Sequence, residues 1–319
     1  MQDINRSRVL LTVGTASSYC LVPLLAYITT LKLKLDGTWN AILLVAFFTC
    51  VLSVVASRFK WVTLRATIEC LGCGFLLIIP ITISTYIAAK LNFPLADAQL
   101  ARWDSMLGVD WPFIMRWVDE HSLAAEVFNR AYRTFSYQLI LYPIVLIVFN
   151  KINQAYQMVS VYGLLCFLAS AVSIFWPALG TYTFYQFDAS TLKNLDATYG
   201  YFFLEQFQAV RDNPDFVWSL EQSAGIVTFP SVHAAVATLC AWAIRPVRLL
   251  RYPVLVLNIA MALSAVPAAN HYFIDVIAGC LVALVSIILV RSVTQSREGI
   301  FPELMRLRLS TKKVNLSPE

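Results

Sequence analysis

A helix that crosses a hydrocarbon core of roughly 30 Å needs about 20 mostly apolar residues. This chain of 319 residues offers eight stretches that meet or approach that length, near 9–30, 39–57, 66–89, 134–150, 156–178, 229–244, 252–268 and 271–291. Composition agrees: 59% of the residues are hydrophobic and 13% charged, with a mean hydropathy of +0.67, a profile that excludes a soluble globular protein. The expected fold is an all-α polytopic membrane helix bundle of about eight transmembrane helices. The first run is of spanning length and lacks a small-residue cleavage site, so it is expected to stay as an anchor rather than leave as a signal peptide.

Lys and Arg are retained on the cytoplasmic side of a membrane. With the N-terminus inside, the cytoplasmic segments collect 15 of the 24 basic residues: Arg6, Arg8, Arg58, Lys60, Arg65, Lys151, Arg245, Arg248, Arg251, Arg291, Arg297, Arg306, Arg308, Lys312 and Lys313. The other side keeps Lys32, Lys34 and two long polar loops, 90–133 and 179–228, with seven basic and twelve acidic residues between them. Both termini are therefore expected in the cytoplasm and the starts of the sixth and eighth apolar stretches on the outer face. The net charge of +5 reads as a topology signal and not as a nucleic-acid surface.

The first outer loop contains W-P-F-I-M-R-W-V-D-E, Trp111 to Glu120, whose mixture of aromatics and charges at helical spacing predicts an amphipathic helix in the membrane interface. The second is rich in aromatics: Tyr182, Phe184, Tyr185, Phe187, Tyr199, Tyr201, Phe202 and Phe203. They suit either a cap over a site or a belt at headgroup level. Seven cysteines fall almost entirely in apolar runs, where Cys acts as a small hydrophobe. The pair Cys70 and Cys73 stands in a spanning run with no His or second Cys pair nearby, so helix packing is expected of it rather than redox or metal chemistry.

Two of the three histidines open apolar segments: His233 ends G-I-V-T-F-P-S-V-H, and His271 belongs to N-H-Y-F-I-D, Asn270 to Asp275. An ionisable group at membrane depth is costly and marks a functional site. Pro230 is suited to the first position of a helix, whose N-terminus, with the Ser231 hydroxyl, forms a natural cradle for a phosphate oxygen. Four residues separate His271 from Asp275, one face of a helix, where a carboxylate fixes the imidazole tautomer and supports a nucleophilic His. Two histidines and a carboxylate at one membrane face supply a nucleophile, its orienting partner and a general acid.

F-P-S-V-H followed by N-H-Y-F-I-D-V-I-A-G resembles the second and third signature motifs of the type 2 phosphatidic acid phosphatase superfamily. The likeness is strongest over residues 225–279. The upstream L-G-V-D-W-P and A-Y-R-T-F-S-Y-Q look most like the branch that includes inositol phosphorylceramide synthase. The resemblance implies a six-helix catalytic core over 66–291, leaving a two-helix anchor over 1–65 and a cytoplasmic tail over 292–319. It also implies a bacterial inner-membrane enzyme with a periplasmic active site, needing no cofactor and no metal. His271 would attack phosphorus, Asp275 would polarise it, His233 would protonate the leaving oxygen and Ser231 would help hold the phosphate. The partners implied are a lipid phosphate or phospholipid in the bilayer and an acceptor, water or a lipid alcohol.

The chain departs from the family pattern in its cations. No Lys-x6-Arg-Pro precedes Pro230, the one Arg-Pro, Arg245-Pro246, lies downstream, and Ser264-Ala265 stands where the third motif has Ser-Arg. Transferring phosphoryl groups call for positive clamps. Either Arg130, Arg133, Lys193 and Arg211 substitute as substrate-binding cations on the outer side, or the substrate is a phosphodiester with a single negative charge, as a headgroup transferase would use. A non-catalytic reading, a transporter or scaffold with proton-sensing histidines, lacks the paired broken helices of inverted-repeat transporters.

Overall fold

The computed structural model describes residues 2–34, 37–196, 198–201 and 203–295. Phe202 and the basic residues Arg297, Arg306, Arg308, Lys312 and Lys313 lie outside them. The chain opens with α1 (Gln2–Ile28), the two-residue strand β1 (Lys32–Leu33), α2 (Gly37–Arg58) and α3 (Val62–Lys90). A first helical loop follows, α4 (Asp97–Met106), α5 (Trp111–Glu120) and α6 (Ser122–Arg133), then α7 (Phe135–Val148) and α8 (Ile152–Ser173). The second loop holds α9 (Thr181–Phe184), α10 (Thr198–Tyr201), α11 (Leu204–Asp212) and β2 (Val217–Trp218), and the chain continues through α12 (Val232–Ile244), α13 (Arg251–Ala268) and α14 (Phe273–Thr294). This is an all-α polytopic bundle.

Helices α1, α2, α3, α8, α13 and α14 are each long and apolar enough to cross a membrane, and α6 with α7 forms a further segment bent by 57°. The apolar α12 has only 13 residues, a rise of about 20 Å, shorter than a hydrocarbon core of roughly 30 Å. These segments correspond to the eight apolar stretches. Several crossings end in a residue with positive φ, among them Lys60, Asn92 and Asn150, the left-handed cap that stops a helix. After α7, Asn150 N–H donates to Ile147 O and Lys151 N–H to Leu146 O, closing the last turn before the chain reverses.

Small residues let α12 run through the centre of the bundle. Its Ala234, Ala235, Ala237, Cys240 and Ala243 are all buried, and it packs on α7, α8, α13 and α14. One seam of α1, Ser7, Leu11, Thr15, Ser18, Val22 and Ala26, is buried against α3 and α8. Glu69 joins four helices at the end opposite the long loops. Its carboxylate accepts from Arg8 Nε at 2.8 Å, Arg65 Nε at 3.0 Å, Tyr156 Oη at 2.7 Å and the Ser53 hydroxyl, so a buried charge is compensated on every side.

At the other end both loops fold down over the bundle. β1 pairs in parallel with β2, and Lys32 bonds Asp215 at 2.7 Å. The expected amphipathic helix over 111–120 forms as α5, capped by Asp110 accepting from Phe113 N. Its apolar side faces protein: Trp111, Met115 and Val118 are buried, Trp111 Nε1 donates to Val266 O, and the Trp111 ring stacks on Tyr185 at 5.3 Å and meets Tyr182 and Phe187. Those loop aromatics thus form a small core between the two long loops.

Candidate active site

Both histidine motifs meet at this loop-covered end. His271 lies two residues before α14 rather than within it, because Tyr272 is the N-cap, at φ −70 and ψ 154. The i,i+4 pair expected on one helical face is therefore a capping arrangement. Asp275, at the third helical position, accepts from Tyr272 N and from His271 Nδ1, both at 3.0 Å on Oδ2. With Nδ1 holding its proton toward the carboxylate, Nε2 is the basic nitrogen, and it has no protein partner among the described residues. Asp275 is fully buried and His271 is 5% exposed.

Pro230 is not the first helical residue. A cis peptide precedes it, and Ser231 takes the cap instead, its extended backbone and Oγ accepting from Ala234 N, a role for which Ser is well suited. Ser231 is wholly buried and spends its hydroxyl oxygen on this cap. The first two helical amides, on Val232 and His233, precede any intrahelical partner, and both residues line the cavity described next.

The His233 ring stacks on Tyr132 at 4.0 Å with an interplanar angle of 14°, and Phe135 lies 4.4 Å away at 38°. Those two residues flank the bend between α6 and α7, so the break at Thr134 is what brings both rings against the histidine. His233 and His271 line one cavity of about 280 Å³ with Tyr132, Phe135, Phe203, Thr228, and Thr82 and Thr85 of α3. Phe203 is thus the one aromatic of the second loop that lines the cavity among the described residues.

Three distant carboxylates and an amide, not evident from the sequence, build this end. Asp104 accepts from Phe273 N and Ile274 N, each at 2.8 Å, and so fills the N-terminus of α14; burial pushes its carboxyl above the usual range while those two N–H groups pull it down. Asp97 accepts from Leu179 N, Gly180 N and Tyr272 Oη. Asn270, at φ 68, bonds Tyr182 N and the carbonyls of Leu179 and Gly200. Asp119 accepts from the amides of Lys193, Asn194 and Leu195.

None of the four candidate cations lines the cavity. Arg130 pairs with Glu126 one turn back and Arg133 with Asp196 at 2.6 Å, both on the surface. Lys193 is exposed. Arg211 donates to Phe93 O and lies over the Phe207 ring. Among the described residues the cavity wall contains no Arg or Lys. Ala265, where the family motif has Arg, is buried and its carbonyl accepts from His271 N at 3.4 Å. Among the described residues no three His, Cys, Asp or Glu side chains cluster as metal ligands.

A polytopic helix bundle with a carboxylate-paired histidine and a second histidine lining one cavity defines the class. The family model of the PAP2 superfamily matches residues 98–289, more than half of the chain, and the protein belongs to that superfamily. No curated protein and no solved structure matches it.

Proposed function

We propose that the protein is a membrane enzyme that transfers or hydrolyses the phosphoryl group of a lipid through a phosphohistidine. One observation carries this reading: His271 holds Nδ1 on Asp275 at 3.0 Å while it lines a cavity together with His233. Nε2 of His271 attacks phosphorus as the P–O bond to the leaving group breaks, and His233 gives that oxygen a proton. Asp275 offsets the positive charge that the attacked imidazole acquires. His233 then takes the proton from water or from an acceptor alcohol, whose oxygen bonds phosphorus as the P–N bond breaks. Ser231 acts as the cap that aims the free amides of Val232 and His233 at the phosphate oxygens.

The absence of Arg and Lys from the described cavity wall favours a substrate of low charge. A phosphodiester headgroup donor carries one negative charge, so headgroup transfer of the inositol phosphorylceramide synthase type is the second reading. In both, the loop-covered end faces away from the cytoplasm, because Arg8, Arg58, Lys60, Arg65, Lys151, Arg245, Arg248 and Arg251 gather at the other end; the membrane is a bacterial inner membrane or, with the lumen as the outer side, a Golgi-type one.

The test incubates purified protein in nanodiscs with lipid phosphates and phosphodiesters, with and without diacylglycerol or ceramide, beside His271→Ala. Phosphate released only by the wild type supports hydrolysis, and new phospholipid formed only with an acceptor supports transfer. Identical behaviour of wild type and variant across the panel would overturn the catalytic reading.

A further inference from the structure

A bend of 57° separates α6 from α7, and Tyr132 and Phe135, the two rings that pack on His233, stand on either side of it. No Pro or Gly lies between Ala131 and Gln138, so neither of the commonest helix breakers makes the bend. Side chains hold it instead. Thr134, at the break, donates its hydroxyl proton back to the Ala131 carbonyl at 2.7 Å, and its Oγ1 accepts from Gln138 Nε2, one turn into α7, at 2.8 Å. Gln138 is 3% exposed. An amide buried in a spanning segment finds its partners in protein, because the bilayer core offers none.

The remaining partners of that amide are on α13. Gln138 Nε2 also donates to Met261 Sδ at 3.3 Å, and Gln138 Oε1 accepts from Asn258 Nδ2 at 2.8 Å. Asn258 is buried too, and its other N–H is held by the Val254 carbonyl at 2.9 Å. Asn258, Met261 and Ala265 are spaced i, i+3 and i+7, one face of a helix. Ala265, next along the face that grips Gln138, gives its carbonyl to His271 N at 3.4 Å. One helix therefore serves both histidines. It meets the His271 backbone directly, and it reaches His233 through Gln138, the bend and the two stacked rings.

We propose that Gln138 is a positioning residue for His233: by tying the α6–α7 bend to α13 it fixes the Tyr132 and Phe135 rings, and with them the imidazole. Its effect on turnover rests on the reading that His233 moves protons in the reaction; its hold on the ring does not. Gln138 does not line the cavity, so it acts only through these neighbours. A second buried amide supplies the contrast. Gln157, 1% exposed, donates to Thr294 Oγ1 at 2.7 Å at the opposite end of the bundle, where it joins two helices with no histidine beside it.

The test compares Gln138→Leu, which removes the amide, with Thr134→Val, which removes its hydroxyl partner, Thr134→Ser, which keeps that partner, and Gln157→Leu. The first arm needs no turnover: NMR of isotope-labelled histidine in nanodiscs, with the His233 signal assigned by its loss in His233→Ala. Two stacked rings shield the imidazole protons, so the signal is expected upfield in the wild type, Thr134→Ser and Gln157→Leu, and nearer its free position in Gln138→Leu and Thr134→Val. A signal that stays in place in folded Gln138→Leu or, where that variant does not fold, in Thr134→Val overturns the proposal. So does an equal displacement in Gln157→Leu, which would mean general loosening. In the second arm kcat of Gln138→Leu is expected to fall about tenfold with KM little changed, the effect of a misplaced group, while Gln157→Leu keeps its kcat. Because both act through the stack, adding Gln138→Leu to Tyr132→Leu should cost nothing further; losses that multiply would overturn the route through the rings. If the wild type turns over no lipid, the catalytic reading fails by itself, and the first arm still decides whether Gln138 places the ring.

Discussion

The backbone N–H of Ser231 donates to the carbonyl of Asp275 at 3.0 Å. This one bond joins the cap of α12 to the first turn of α14, and with it the segment bearing His233 to the carboxylate that orients His271. The approach is close because Gly279, one turn further along α14, presents no side chain: a Cβ there would collide with the Ser231 carbonyl oxygen and crowd Ala234 and Ala235. Geometry at the two histidines thus depends on a residue that touches neither.

Gly279→Ala is predicted to separate α12 from α14. Overpacking of this kind costs about 1–3 kcal/mol, and misplacing reacting groups by an ångström costs up to about a hundredfold in rate. The expected result is a lowered thermal midpoint with turnover down at least tenfold by the same reasoning. Wild-type turnover in the Ala variant would show that the two motifs do not need this contact.

Asp104 caps α14 from 169 residues away in the chain. Replacing it with Ala strands two buried amides, a loss of about 2 kcal/mol, and lets the His271 segment shift. Asp104→Ala is expected to lose both stability and kcat, with Asp104→Asn intermediate because its amide oxygen can still accept one N–H. Equal behaviour of the two variants would argue against a capping role.

Tyr132 and Phe135 hold the ring of His233 by stacking. Tyr132→Leu should lower kcat with little change in KM, since ring orientation matters at proton transfer and not at binding, while Tyr132→Phe retains the stack. A loss of about tenfold is expected, short of the roughly 10²–10⁴-fold that a general acid contributes, because the imidazole itself remains. If Leu and Phe variants lose activity alike, the hydroxyl rather than the ring face is what counts.

Asp119 gives a pH dependence outside the membrane. Burial pushes its carboxyl up, but the amides of Asn194, Leu195 and Lys193 and the Lys193 charge outweigh this and hold it below the usual carboxylate value. A depressed folded value means a contribution to stability that is present above the unfolded value, about 3.9, and lost as pH falls through the folded one. Protection factors at 193–195, taken against intrinsic exchange at each pH, should therefore be high at neutral pH and fall below about pH 4, and Asp119→Ala should show low protection throughout. Protection persisting to pH 2 in the wild type would contradict the assignment.

The bundle was legible because continuous apolar stretches leave a membrane helix little alternative, and all eight became helical. The short α12 and the bent α6–α7 pair were less so: their lengths depend on the loops that cover them. His233, His271 and Asp275 stood out as costly groups in apolar surroundings, and they meet. The helices start two residues after Pro230 and His271, since capping is decided by backbone geometry that local sequence hints at only weakly. Asp97, Asp104 and Asp119 were unreadable as site builders, because each serves amides 74 or more residues away. In the sequence only membrane side singles out Arg130, Arg133, Lys193 and Arg211, and nearby acids, Glu126 and Asp196, hold two of them at the surface.

The central claim is that His271 carries the phosphorus during turnover. A rapid acid-free quench of the wild type with a phosphorus-labelled lipid substrate, followed by peptide mass spectrometry under alkaline conditions that spare phosphohistidine, tests it directly. The account predicts a phosphorus adduct on the peptide containing His271, absent from His271→Ala and longer-lived in His233→Ala. Turnover without any adduct at His271, or an adduct at His233 instead, would contradict it.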